Sequence, residues 1–560
     1  LNNYRIITLL VLALLFAATG CSDETQQAEQ PAQKAEKSGQ AEKNGETTAT
    51  AEHTGSQKRD IEIDEQPSTV YYEIFVRSFY DSNGDGIGDL RGVIEKLDYL
   101  NDGDPNTDTD LGIGGIWLMP VNPSPSYHGY DITDFYGIDS EYGTVEDFGR
   151  LIEEAHRRGI KVIMDMVFNH TSLEHPWFAD SRNPDSKYRS WYYWMNKEED
   201  TGGAASAAGS GDAWHTLGGG KYLGIFSDHM PDLNYDNPEV RQEMIRIGKF
   251  WLEKGVDGFR LDAAKHIYID TKDDVTAKEK LDKNIAWWNE FREAMNEVNP
   301  GAYIVGEMMD KSPAIIAPYL QPFDSGFNFG LAEQLVNMAK LEQSADLGFT
   351  LKRTYDLFAR MSDPTFVDAP FLTNHDQTRA MSTLYGNVER AKSAASLLLS
   401  LPGNPFIYYG EEIGMQGMKP DEFVREPMVW YDKAKAGQTS WEPSKFNLET
   451  PSVERQLNDP QSLLSHYRKW IGVRNKLKAL RDGGMEEYES DNMKLTAFIR
   501  ATNDERVLVV HNTTGDEQKL TLAIPNEFAR VIMSTKNGSE LADGGKVLVL
   551  PSYSSVILGR

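Results

Sequence analysis

The sequence predicts an α/β fold: a (β/α)8 TIM barrel with an inserted subdomain after strand 3 and a C-terminal antiparallel β-sandwich. Three observations carry this. Apolar strand-like segments alternate eight times with longer helix-like stretches. Three carboxylates, Asp262, Glu307 and Asp376, close separate apolar segments, the pattern of a polar catalytic site at one mouth of a barrel and hence of an enzyme. An open doubly wound sheet would more often show fewer strands and a glycine-rich phosphate loop.

Strands are expected at 70–79, 113–119, 161–168, 256–261, 303–306, 325–329, 366–372 and 406–408. Helices are expected over 144–158, 239–254 and 388–400, the first opened by Thr144 as N-cap, and a last one over 460–476. The rhythm breaks at 170–237, which is too long for a barrel connection and reads as a subdomain over the mouth. Its low-complexity stretch 201–212 reads as a mobile surface loop. Short segments at 494–499, 506–511, 518–524, 531–534, 546–550 and 555–558, split mostly by Gly, Asn, Asp or Pro, predict the sandwich. The expected organisation is therefore a barrel over 61–169 and 238–478, the insertion over 170–237, and a structural buttress over 479–560.

Ahead of the folded body, Arg5 precedes the apolar run 6–18, shorter than a bilayer-spanning helix, and Ala18-Thr19-Gly20 lead into Cys21. Residues 1–21 read as a signal peptide and resemble a bacterial lipoprotein signal, whose cysteine becomes the lipidated first residue; an ordinary secretory signal is the alternative. The expectation is an exported protein, lipid-anchored to the membrane of the cell envelope on its extracellular or periplasmic side. Cys21 is the only cysteine, so no disulfide can form within the chain. Residues 22–60 hold too few large apolar groups to offset the entropy of ordering and read as a flexible tether.

The net charge of −29 and pI near 4.8 argue against a nucleic-acid partner, which needs concentrated basic surface. Residues 258–266 read GFRLDAAKH, and Arg260, two positions before Asp262, shares its strand face. A fixed cation there keeps the carboxylate ionised. Residues 127–131, YHGYD, offer an aromatic platform with polar neighbours, as a sugar requires. Residues 81–89, DSNGDGIGD, put oxygen ligands at alternate positions in a glycine-rich loop, which suits a hard cation such as calcium or forms a metal-free acidic turn. No motif points to an oligomeric state.

The segments 165–170, 258–266, 305–307 and 373–376, with MPDLN at 230–234, resemble in order the short characteristic segments of the alpha-amylase family of glycoside hydrolases, family 13. The resemblance implies that Asp262 is the nucleophile, Glu307 the general acid and base, and Asp376 the third acid, which grips the sugar. It implies carboxyl groups about 5 Å apart and a retaining mechanism. His128, Tyr130, Asp131, His170, Arg260, Lys265, His266, His375 and Arg379 become expected substrate contacts. Asp81, Asn83, Asp85, the Ile87 carbonyl and Asp89 become an expected Ca2+ site, and Asn169, Asp232 and the His266 carbonyl a possible second one.

Ala263 and the pair Lys265-His266 resemble alpha-1,4-acting amylases, whereas Asp131 resembles exo-acting relatives and 230–234 the intermediate subgroup between alpha-amylases and oligo-1,6-glucosidases. Retaining endo-hydrolysis of alpha-1,4-glucosidic bonds in starch, related glucans or maltooligosaccharides is the expected activity. An alpha-glucosidase, a cyclomaltodextrinase- or neopullulanase-like enzyme and a glucanotransferase are alternatives. A noncatalytic glycan-binding lipoprotein is a distant one, since all three acids are present.

Overall fold

The structure is a computed structural model that describes residues 68–560 apart from 202–203, 209–210, 269–277, 363–365 and 434. The expected signal peptide, Cys21 and the expected tether lie outside the described residues. In chain order the strands are β1 (Tyr71–Ile74), β2 (Gly115–Leu118), β3 (Lys161–Met166), β4 (Trp194–Asn196), β5 (Trp214–Leu217), β6 (Gly220–Leu223), β7 (Gly258–Leu261), β8 (Tyr303–Gly306), β9 (Ser325–Gly326) and β10 (Phe406–Tyr408). Seven of them form one parallel sheet in the order β10-β1-β2-β3-β7-β8-β9. Strands covered on both faces must be apolar throughout, which is why these segments stand out as nearly unbroken hydrophobic runs.

The expected strand at 366–372 is replaced by two single parallel bridges, Phe327 with Ala369 and Phe371 with Phe406, which lie next to the two outer strands. Pro370 sits between them and has no N–H to extend a ladder. Two other expected strands are shortened. The run from 70 turns after Ile74 into the helix Val76–Phe79, because continuous apolarity does not separate strand from buried helix. The run from 325 stops at Gly326, because the Asn328 side chain accepts from the Leu331 N–H at 3.1 Å and opens the helix Phe329–Leu341.

Helices pack around the sheet. Val145–Arg157 starts with a reciprocal capping box, Thr144 Oγ1 accepting from Asp147 N at 3.1 Å and Asp147 Oδ2 from Thr144 N at 3.2 Å. Its buried residues Phe148, Leu151, Ile152 and Ala155 recur at helical spacing and form the core-facing stripe. Each large apolar side chain so buried contributes roughly 1.5–3 kcal/mol.

The excursion after β3 is fastened at its base by antiparallel bridges between His170 and Asp232 and between Tyr192 and Leu233. Beyond the base β4, β6 and β5 form a small antiparallel sheet. The ends of the low-complexity stretch are held: Ala205 bridges Asp212, and Ala204 and Ala213 are buried against Leu223 and Ile225.

After the helix Leu463–Lys476 come β11 (Gly484–Glu487), β12 (Thr496–Ala501), β13 (Arg506–Asn512), β14 (Gln518–Thr521), β15 (Arg530–Ser534), β16 (Glu540–Ala542), β17 (Val547–Leu550) and β18 (Ser554–Gly559). They form two antiparallel sheets, β11-β12-β13-β18-β15 and β14-β17-β16. Alternation along β13 divides its duties: Val507 and Val509 join the large core, and Leu508 and Val510 join the core between the two sheets. The buried Arg500 donates to the carbonyls of Ser400, Leu480 and Gly483 at 2.6, 2.9 and 2.6 Å, tying these sheets to the catalytic body. Among the described residues no helix is long and apolar enough to cross a membrane.

Candidate active site

The carboxylates gather at the C-terminal ends of the parallel strands. Asp262 directly follows β7 and Glu307 directly follows β8. Arg260 in β7 and Asp165 in β3 point to one side, both with 0% side-chain exposure. Arg260 Nη1 donates to Asp165 Oδ1 at 2.8 Å and to Asp262 Oδ1 at 2.6 Å, while Nη2 stands 3.0 Å from Glu307 Oε2. One guanidinium therefore serves three carboxylates.

A single positive charge cannot compensate three negative ones in a buried site, so proton affinity rises within the group. Burial, opposed by Arg260 and reinforced by Asp262, lifts the Asp165 carboxyl to about 7. Burial also raises Glu307, again opposed by Arg260 and reinforced by Asp262 and Asp376. Glu307 Oε2 accepts from the Ala263 N–H at 3.1 Å, whereas Oε1 is buried with no hydrogen-bond partner among the described residues. Ala263 takes a left-handed backbone, φ 46°, which turns the chain out of β7 and presents that N–H to Glu307.

His375 organises the other half. Its Nδ1 lies 2.6 Å from Glu73 Oε1 in β1, and its Nε2 lies 2.6 Å from Tyr130 Oη and 3.1 Å from Asp376 Oδ2. Burial opposes the charged ring, but Asp376 and Glu73 prevail and raise its pKa to about 9. The imidazolium thus donates from both nitrogens, and the Tyr130 hydroxyl donates to Asp165 Oδ2 at 3.1 Å. Against burial, His375 and then Arg425 hold the Asp376 carboxyl below the usual range. Arg425 Nη2 donates to Asp376 Oδ1 at 2.9 Å, and its Nε donates to the His375 carbonyl at 3.1 Å.

Other expected residues lie around this centre with specific engagements. His128 Nδ1 accepts from Tyr130 N at 3.1 Å, and burial lowers its pKa, leaving a neutral ring. Asp131 accepts at Oδ1 from Ser124 Oγ at 2.7 Å and from Ser126 Oγ. His170 is buried, with ring nitrogens 3.1 Å from the Tyr130 carbonyl and from Asn169 Oδ1. Lys265 Nζ donates to the Met309 carbonyl at 2.9 Å, linking the turn after β7 to the loop after β8. His266 lies edge-on to Phe226, and burial lowers it to about 3. Arg379 corrects the expectation of a sugar contact: its guanidinium is buried over Tyr408 and Tyr409 and donates to the carbonyls of Val424 and Tyr409 at 2.8 and 2.7 Å, so it braces the core.

Glu73, Asp165 and Arg425 complete the site although sequence reasoning gave them no role. The first two carried a usable signal, a charge inside an otherwise apolar strand. Arg425 carried none, since it reaches Asp376 only through tertiary folding.

In the acidic loop Asp81 accepts from the N–H groups of Asn83, Gly84 and Gly86 at 3.1, 2.6 and 2.8 Å. Asn83 accepts from Asp85 N at 2.9 Å and Asp85 from Ile87 N at 2.8 Å. Asp89 accepts from Ser82 and caps the helix Leu90–Glu95 through Gly92 N at 2.8 Å. The donor atoms are all oxygen, a set that fits calcium chemically. Among the described residues no group of three or more His, Cys, Asp or Glu stands arranged to hold a metal. At the other location Asn169 Nδ2 donates to the His266 carbonyl at 2.8 Å. Burial raises the Asp232 carboxyl, and only the Ile225 N–H, at 3.3 Å, opposes that shift.

Residues 73–483 match the family described as alpha amylase, catalytic domain, and residues 495–557 match the alpha-amylase SusG C-terminal domain. Alpha-amylase 3 of Dictyoglomus thermophilum is 41% identical over 496 residues, covering 88% of this chain and 93% of that protein. A 4-alpha-glucanotransferase of Thermotoga maritima is 34% identical, covering 80% of this chain and 96% of that protein. Among solved structures, the alpha-amylase from H. orenii superposes with a TM-score of 0.82 at 45% identity, covering 88% of this chain and 100% of that one.

His375 generates a pH-dependent prediction. A base whose pKa rises on folding adds stability that is fully present below its unfolded value, 6.5, and is lost as the pH rises through about 9. In denaturant titrations the stability difference between wild type and His375→Asn should shrink by on the order of 3 kcal/mol from pH 6 to pH 10. A difference that stays constant across that range contradicts a charged His375.

Proposed function

The chain belongs to the alpha-amylase family, family 13 of the glycoside hydrolases, and is an enzyme of alpha-glucosidic linkages; from that premise we propose that it cleaves internal alpha-1,4 bonds of starch-like glucans and maltooligosaccharides with retention. The observation that carries this is the unequal treatment of two carboxyls by one cation. Asp262 takes a 2.6 Å bond from a group that never loses its charge, which suits a nucleophile. Glu307 is buried, raised in pKa and has a free Oε1, which suits a proton donor.

In the first step Asp262 attacks the anomeric carbon while Glu307 gives its proton to the departing glycosidic oxygen. In the second, Glu307 takes a proton from water, whose oxygen displaces Asp262 from the same carbon. Asp376, held by His375 and Arg425, grips hydroxyls of the sugar undergoing attack, and Tyr130, His128 and His170 form its walls. The engagement of Asp131 by two serine hydroxyls supports internal cleavage over capture of a terminal glucose. Transfer to a sugar acceptor, as the name of the Thermotoga maritima relative describes, is the competing outcome of the second step. We also read 366–372 as the eighth position of a closed barrel, reduced to two bridges at Pro370.

A timed product profile tests this reading. Starch and maltoheptaose should yield a spread of internal fragments, with little action on a cyclomaltodextrin or pullulan. Early glucose or maltose, ring opening or lengthened products would overturn endo-hydrolysis. In the same assay Glu307→Gln and Asp262→Asn should each lower kcat on starch by at least about 10²-fold. Only Glu307→Gln should recover the first step on an alpha-maltosyl fluoride, whose leaving group needs no proton, seen as a burst of fluoride release before the second step, which still lacks its base.

For Asp81, Asn83, Asp85, Ile87 and Asp89 we propose a structural Ca2+, with the buried, uncompensated Asp232 supporting a second near Asn169 and the His266 carbonyl. Removing calcium with a chelator should lower the Tm, and added Ca2+ should restore it; a Tm indifferent to both argues against either ion. For Cys21 we propose lipidation and membrane anchoring. Cys21→Ser should move the protein from the detergent phase to the aqueous phase, and an unchanged partition would count against the anchor.

A further inference from the structure

A cavity of about 450 Å³ is lined in part by residues that closely follow Glu307 and Asp376 in the chain, and the mechanism above leaves its lining without a role. Met309 enters it from the loop after Glu307, Gln377 from the position after Asp376, Asn337 from the helix Phe329–Leu341, and Thr383 from the helix Ala380–Thr383. Gln377 Oε1 is buried with no hydrogen-bond partner among the described residues, an acceptor left for a donor that the protein does not supply. Amide and hydroxyl termini, with Asp310 and the ion pair of Lys311 and Glu333, line the cavity beside an apolar Met309 that is 50% exposed. Such a surface matches a sugar ring, polar at its edges and apolar on its faces.

Two residues beyond Thr383 stands Tyr385, with 73% of its surface exposed and a left-handed backbone at φ 60°. It ends its helix through Tyr385 N donating to the Ser382 carbonyl at 3.1 Å and Gly386 N donating to the Met381 carbonyl at 2.9 Å. Helix ends normally put glycine or asparagine in such a conformation, so a large aromatic held there in solvent is an outlier that points to use. Lys340 Nζ lies 5.2 Å from the ring centroid. Lys340 is three residues after Asn337 on one helix face, which makes the cavity wall and Tyr385 neighbours.

We propose that the cavity and Tyr385 form an acceptor-side extension of the glucan cleft, which rests on the reading of Glu307 as the acid. The leaving oxygen must meet Glu307, so the departing part of the chain lies against the loop that follows it, where the cavity begins. Gln377 and Asn337 bind hydroxyls of the departing alpha-1,4-linked sugars, and Tyr385 stacks on a sugar further out. The extension selects substrates that continue well past the cleaved bond.

The test compares kcat/KM for maltoheptaose with that for 4-nitrophenyl alpha-maltoside, whose leaving group is too short to reach Tyr385. Tyr385→Gly keeps the backbone conformation without strain and removes the ring. It should lower the long-to-short ratio by about fivefold or more, through KM. Tyr385→Phe should preserve the ratio, and so should Phe349→Ala, an exposed aromatic elsewhere. An unchanged ratio in Tyr385→Gly overturns the extension. Turnover of starch by Glu307→Gln at the wild-type rate would instead remove the premise, so the two failures are distinguishable.

Discussion

Everything at the catalytic centre depends on the buried guanidinium of Arg260. It is fixed on a central strand of the parallel sheet, and it meets Asp165, Asp262 and Glu307 within 3.0 Å. Removing its charge would leave three carboxylates packed together in a dry setting, where like charges repel strongly. Replacing it with lysine would supply one point charge where a planar fork now reaches separate partners. The same arrangement divides labour between two acids of similar intrinsic strength: the closer bond and greater exposure go to Asp262, and the deeper, weaker contact goes to Glu307.

A second cation, the imidazolium of His375, sets the opposite wall. Glu73 from β1 keeps it charged, and the charge is then spent on Asp376 and on orienting the Tyr130 hydroxyl toward Asp165. The two halves therefore meet through Asp165, which accepts from Arg260 Nη1 and from the Tyr130 hydroxyl. Polar groups linked in this way hold a fixed geometry, which catalysis by preorganised charge requires.

The places of Asp262, Glu307 and Arg260 were legible because their strands impose a spacing, two residues apart on one face or the first polar position after an apolar run, whereas Asp376 follows only two single bridges. The helix Val145–Arg157 was legible from its Thr144 cap, and β8 and β10 from their apolar bounds. Where the reading failed, hydrophobicity was silent about direction. The apolar run from 70 gave no sign of turning at Phe75, and Pro370 was the unread clue that 366–372 would pair only through single bridges. Arg379 misled because it lies near Asp376 in sequence, while its side chain turns back over Tyr408 and Tyr409. Arg425 was invisible for the reverse reason, reaching the site from far along the chain.

The base of the excursion after β3 has an architectural consequence. The bridge from His170 to Asp232 lies at the base of the excursion and joins it to the ring that meets the Tyr130 carbonyl, while Ala204 and Ala213 pack on Leu223 and Ile225 beside the small sheet. Leu223 and Ile225 in turn bond Asp232, Leu223 through its carbonyl and Ile225 through its N–H, so the packing at Ala204 and Ala213 reaches the residue that bridges His170. A shift at the base would carry His170 away from the Tyr130 carbonyl beside the acids. The excursion is therefore one linked unit, from the buried Ala204 and Ala213 to the bridge at His170.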